Sequence, residues 1–162
     1  MTRLETRKPR SRSTASEASG RAWDRAIRLL AVHDRSEQEI RSRLAASGES
    51  ATTIAVAVRR LRHFRYLDDR RFALGVAEQA MRRGYGSEYV RAQLEHKAVA
   101  EHVIEQALHA SFEDEAELAR RALTRQFPEQ PRQPAERAKA ARFLLRRGFP
   151  EAVVFAILDE AC

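Results

Sequence analysis

Apolar residues recur at helical spacing along almost the whole of this chain. Trp23, Ala26, Ile27 and Leu30 fall on one face of a helix expected over 21–32. Ile40 and Leu44 follow one turn apart, and Ile54, Val58 and Leu61 make a third inward face. Phe72, Val76 and Ala80 supply the buried stripe of a helix over 69–82, and a further helix is expected over about 113–126. No run alternates with period two and no Asn-Gly hairpin signal occurs, so the pattern predicts an all-α protein.

A shift of 50 residues superposes the pattern on itself. It aligns Ile40, Val90 and Ala140, then Leu44, Leu94 and Leu144, then Gly48, Ala98 and Gly148. Ile54, Ile104 and Val154 follow, and finally Val58, Leu108 and Leu158. Each copy reads as an apolar helix, a small residue at a tight turn and a second apolar helix, with one more helix in front. The expected architecture is three tandem three-helix, helix-turn-helix-like repeats over 21–67, 68–111 and 112–162. Units this small are expected to need their neighbours to complete each core, which predicts an elongated, curved array.

Polar residues punctuate the helices. Ser36 with Glu39 three residues on forms a capping box, and Ser50 or Thr52 opens the next helix. Asp68 is placed to cap the helix that follows, accepting from the amide of Arg70 or Arg71, with Asp69 in the first turn favoured by the helix dipole. Ser87 and Ser111 are the expected caps further on, Gly48 suits a C-terminal cap, and Pro134 suits a first helical position. Residues 1–20 carry Leu4 as their only large apolar side chain. They read as a disordered basic tail.

Charge changes the picture because it is uneven. The chain carries a formal +7, and residues 21–72 hold twelve basic against seven acidic groups, while 113–162 are balanced. Such an excess favours encounter with polyanions. The single cysteine, Cys162, rules out an intrachain disulfide and suggests a reducing, cytoplasmic setting. No segment approaches the roughly 20 apolar residues of a membrane span.

The densest basic cluster surrounds "HFRYLDDRRFA". With Ile54, Val58 and Leu61 inward, Arg59, Arg60 and His63 project outward and Arg62 flanks them, with Arg65, Arg70 and Arg71 around the corner. A solvated face explains such a cluster; so does a surface for phosphates or an acidic protein. Tyr66 beside it suits a core or hinge position, or a stack against a base. "MRRGYGSEYV" places Arg82 and Arg83 before a flexible Gly84-Tyr85-Gly86 turn, and "LLRRGF" repeats the chemistry with Arg146, Arg147 and Gly148. The turn lacks the Lys-Ser/Thr of a nucleotide-binding loop. His96, His102 and His109 stand six or seven residues apart, the last pair about 10.5 Å along a helix, too far to share a metal. No metal site, cofactor, small-molecule substrate or catalytic constellation is expected.

Three blocks carry a resemblance. "RSEQEIRSRL" (35–44), "YLDDRRFA" (66–73) with "RRGYGSEYVRAQLEHKAV" (82–99), and "ARFLLRRGFPEAVVFAIL" (141–158) resemble, in that order, the RecX family of bacterial recombinase regulators. Arg65 and Ala98 stand where that family usually has glycine, and alanine does not favour a left-handed turn at 98. The resemblance implies tandem three-helix units without enzymatic activity. It implies binding to the RecA recombinase and its filament on single-stranded DNA, with restraint of ATP hydrolysis, strand exchange and filament growth. DNA contact would be weak and sequence-independent. The alternative class is a free-standing helix-turn-helix DNA-binding protein, since trihelical units also serve as duplex readers.

Overall fold

The computed structural model describes residues 11–159. Among them lie nine α-helices and no strand. They are α1 (Ser11–Val32), α2 (Glu37–Ala46), α3 (Ala51–His63), α4 (Asp69–Arg82), α5 (Ser87–His96), α6 (Glu101–Ser111), α7 (Glu115–Gln126), α8 (Pro134–Arg146) and α9 (Glu151–Asp159). None is long and apolar enough to cross a membrane. The chain forms two compact units that divide after Asp68. The first holds α1 to α3, and the second holds α4 to α9 as two further trios.

The 50-residue columns are the core. Ile40, Val90 and Ala140 are wholly buried, as are Leu44, Leu94 and Leu144; Ile54, Ile104 and Val154 and then Val58, Leu108 and Leu158 complete the set. Each cluster is drawn almost entirely from its own three helices. This corrects the expectation that neighbours complete each core. A trio suffices because its first helix packs on its third through small side chains. Ala22 and Ala26 in α1, Ala73, Ala77 and Ala80 in α4, and Ala119 and Ala122 in α7 are all buried. Helices approach closely only across such residues. Of the expected stripes, Ala26 and Ala80 are buried as expected, while the larger members flank the core and pack against it. Phe72 and Val76 are only half-buried, as are Trp23, Ile27 and Leu30. In the second unit the half-buried Phe112 packs against the cores of both trios.

The turn column is left-handed in all three copies, with φ of 85° at Gly48, 50° at Ala98 and 74° at Gly148. Alanine therefore does not prevent the turn at 98. The backbone accepts the strain because the Val99 amide bonds the Leu94 carbonyl at 3.1 Å, as Phe149 bonds Leu144 at 3.2 Å. Arg65 is left-handed too, with φ of 58°.

Helix starts follow the capping rules with three departures. The Ser36 hydroxyl accepts from the Glu39 amide at 3.2 Å while Glu39 accepts from the Ser36 amide at 3.2 Å, which leaves buried Ser36 satisfied. Ser50 caps α3, and Pro134 sits at the start of α8. Ser111, expected to open α7, instead ends α6, and Asp114 caps α7 by accepting from the Glu117 amide at 3.0 Å. Ser87 is the first residue of α5 and makes no cap of its own; Gly86 occupies that position. α1 begins at Ser11, inside the segment expected to be disordered. Adding turns to a helix already anchored at Ala22 and Ala26 costs far less than nucleating one. The rest of the expected tail, 1–10, lies outside the described residues.

Candidate interface

In the first unit the last two turns of α3 present Arg59, Arg60, Arg62 and His63, and the chain then turns through Phe64, Arg65 and Tyr66. Leu61 and Leu67 are buried on either side of this stretch, so every residue between them is driven outward. The left-handed Arg65 reverses the chain at that point, and the Tyr66 amide closes back on the Leu61 carbonyl at 2.8 Å.

Two large aromatic rings lie open here. Phe64 is 57% exposed and Tyr66 50% exposed. Both meet the half-buried Trp23 of α1 edge-on, with ring centroids 5.8 Å apart in each pair. The Arg60 guanidinium lies over the Trp23 ring, 4.5 Å from its centroid, and His63 packs edge-on to Phe64 at 4.9 Å. Such cation–π contacts hold a guanidinium in place without neutralising it. Arg59 and Arg65 are exposed and have no carboxylate partner among the described residues. Arg62 lies 3.7 Å from Glu37 of α2, an acid the linear pattern did not connect to the cluster.

Sequence reasoning missed two members of this surface. Trp23 was expected to face inward, and Phe64 was not singled out. The available signal was local: once Ile54, Val58 and Leu61 fill the inner face of α3, the aromatic residues at 64 and 66 have no core position left.

Arg70 and Arg71, the other members of the expected cluster, open α4 in the second unit, where both are exposed. Asp69 lies in that helix's first turn and Asp68 immediately precedes it.

The second basic site is built differently. Arg82 is exposed and paired with Glu78 at 2.8 Å, and Arg83 and Arg146 are exposed. Arg147 turns inward. One of its terminal nitrogens donates to the Arg83 carbonyl at 2.7 Å and the Gly84 carbonyl at 3.2 Å, 64 and 63 residues away. Its guanidinium lies between rings, 5.0 Å from the centroid of Tyr85 and 4.8 Å from that of Phe143. Its expected outward role is therefore corrected to an internal tie between the second and third trios.

The Gly84-Tyr85-Gly86 turn is likewise occupied. The Gly86 amide donates to the Arg147 carbonyl at 2.9 Å and the Glu88 amide to the Gly148 carbonyl at 3.0 Å. Between them the Ser87 amide and hydroxyl donate to the two carboxylate oxygens of Glu115, at 2.6 Å and 2.8 Å. The donors at the start of α5, which would otherwise suit an anion, are consumed by the third trio. Burial pushes the Glu115 carboxyl above its ordinary range, against the opposing pull of the Ser87 bonds. The approach depends on two glycines: a Cβ at Gly86 would overlap the Gly148 carbonyl, and one at Gly148 would overlap the Tyr89 backbone.

Comparison with known proteins places this geometry in context. Residues 22–61 match the first three-helix domain of RecX, 68–108 the second and 113–158 the third. Regulatory protein RecX of Chromohalobacter salexigens is 40% identical over 126 residues, 78% of this chain and 83% of that one. Its counterpart in Salmonella paratyphi A is 34% identical over 143 residues, 82% and 86% of the two chains. In fold, the chain is similar to a crystal structure of RecX from Lactobacillus salivarius, with a TM-score of 0.75 at 18% identity over 90% of this chain and 97% of that one. A second crystal structure of regulatory protein RecX gives 0.75 at 23% identity, over 98% and 81%.

Proposed function

The chain belongs to the RecX family, and from that premise we propose that it regulates the RecA recombinase without catalysing a reaction of its own. It binds the filament that RecA forms on single-stranded DNA and restrains ATP hydrolysis, strand exchange and filament growth. The relatives named as regulatory proteins support the coarse reading. The observation that carries the finer one is the outward set Arg59, Arg60 and Arg65 in the first unit, held beside open aromatic rings and short of acids. Guanidinium groups in this state form charge-assisted, often bidentate contacts with carboxylates and phosphates. Tyrosine, tryptophan and arginine are also enriched among the few residues that dominate the binding energy of protein interfaces.

Reversing Arg59, Arg60 and Arg62 to Glu tests the placement. The triple variant is expected to keep its helical circular dichroism and lose restraint of RecA-dependent ATP turnover on single-stranded DNA. Full restraint by a folded variant would refute it.

A further inference from the structure

The first unit's surface combines two features that a protein partner alone does not require. Its open apolar area is made of two aromatic side chains, Phe64 and Tyr66, bordered by cations. Its charged groups are mostly donors, since Arg59, Arg60 and Arg65 lack a carboxylate partner among the described residues, and Glu37, which pairs with Arg41 at 2.8 Å, lies 3.7 Å from Arg62. A protein surface offers donors and acceptors together and so calls for both in return. A single nucleic-acid strand offers only acceptors along its backbone and a flat ring at each base. Ring faces set among guanidinium groups match it in both respects.

We propose that Phe64 and Tyr66 form a stacking platform for unpaired nucleobases, with Arg59, Arg60 and Arg65 taking the adjoining phosphates. This rests on the reading that the first unit is the docking face, and it assigns the aromatic residues a ligand of their own. Trp23 links the two rings, meeting each in a T-shaped contact, while the Arg60 guanidinium lies over the Trp23 ring. Stacking needs bases that are already unpaired, so the platform discriminates a single strand from a duplex. Every base has a π face, so it does not read sequence.

Trp23 is the only tryptophan in the chain and lies in contact with both rings, so its emission reports occupancy directly. The experiment titrates the protein, without a recombinase, with three probes of equal length: a single-stranded oligodeoxynucleotide, the same phosphate backbone with abasic sites, and a duplex. The single strand is expected to change Trp23 emission and to bind more tightly than the abasic strand by roughly 5- to 150-fold per stacked base. The duplex is expected to bind through its phosphates alone and to leave Trp23 emission unchanged. Phe64→Ala with Tyr66→Ala should remove the preference for bases and leave the slope of log affinity against log salt unchanged. Tyr66→Phe should retain the preference. Arg59→Gln with Arg65→Gln should instead lower the slope by about 0.7 for each phosphate no longer neutralised.

Equal binding of the intact and abasic strands by the wild-type protein overturns the proposal without any variant having to fold. So does an aromatic double variant that keeps its preference for bases. If the single strand fails to bind while the same aromatic variant loses its effect on RecA filaments, the rings dock protein instead. The platform is then refuted and the regulatory reading stands.

Discussion

Both units hold an arginine over an aromatic ring, and the two arginines meet opposite fates. Arg60 lies on Trp23 with its cation open to solvent and two exposed rings beside it. Arg147 lies between Tyr85 and Phe143 with a terminal nitrogen spent on two carbonyls. The difference comes from what stands opposite. In the second unit Gly86 and Gly148 let two turns touch, and Arg147, Ser87 and the Gly86 and Glu88 amides all find internal partners there. In the first unit the backbone amides of Arg65 and Tyr66 fold back only on α3, and the side chains remain exposed. The same residue chemistry is thus a tie in one place and a docking surface in the other.

The comparison breaks most sharply at Gly148. Alanine there combines a left-handed backbone with overlap onto Tyr89, and is expected to destabilise the second unit by about 3 kcal/mol, read by urea denaturation. Binding by the first unit should be spared wherever the variant remains folded.

A smaller contrast separates the two arginines. Arg147→Ala should cost about 1.5 kcal/mol of stability by removing charge-assisted hydrogen bonds and leave partner binding unchanged. Arg60→Ala should cost less than about 1 kcal/mol yet weaken binding. Equal stability losses in the two variants would collapse the distinction.

The left-handed positions sharpen it further. Arg65→Gly and Ala98→Gly each relieve a strained residue and should raise stability by about 0.5 kcal/mol in thermal melts, after the entropy that glycine itself loses on folding. Only the first should also weaken binding, because only it removes a surface cation.

The smallest effect is on pH dependence. Because the Glu115 carboxyl titrates above its unfolded value, its contribution is fully present below the ordinary carboxylate range and is lost as pH rises through the raised folded pKa. Glu115→Gln should flatten that part of the stability profile, measured by denaturant melts across the window.

The legible part of the fold was the part written in near neighbours. The five columns of the 50-residue repeat, the Ser36–Glu39 box and the left-handed turns at Gly48 and Gly148 all depend on residues within about four or five positions of one another. Of the interface, the outward direction of Arg59, Arg60 and Arg62 was legible for the same reason, since the inner face of α3 was already assigned. Of the alanine stripes only Ala26 and Ala80 were; Ala22, Ala73, Ala77, Ala119 and Ala122 were not, because alanine has weak hydrophobicity but permits the closest helix contact. The helix through residues 11–20 was not, because its stability is borrowed from α1's packed half.

By itself the sequence determined nine helical segments in three trios, their main core positions and a strong bias of positive charge toward the front half. Tertiary structure alone decided which cations stay available. An arginine's fate depends on carbonyls and rings that arrive from 60 residues away, as with Arg147 at Arg83, and on whether two glycines leave room for that approach. Local spacing encodes helices because their hydrogen bonds are local; it carries no record of which distant backbone a long, flexible guanidinium will find.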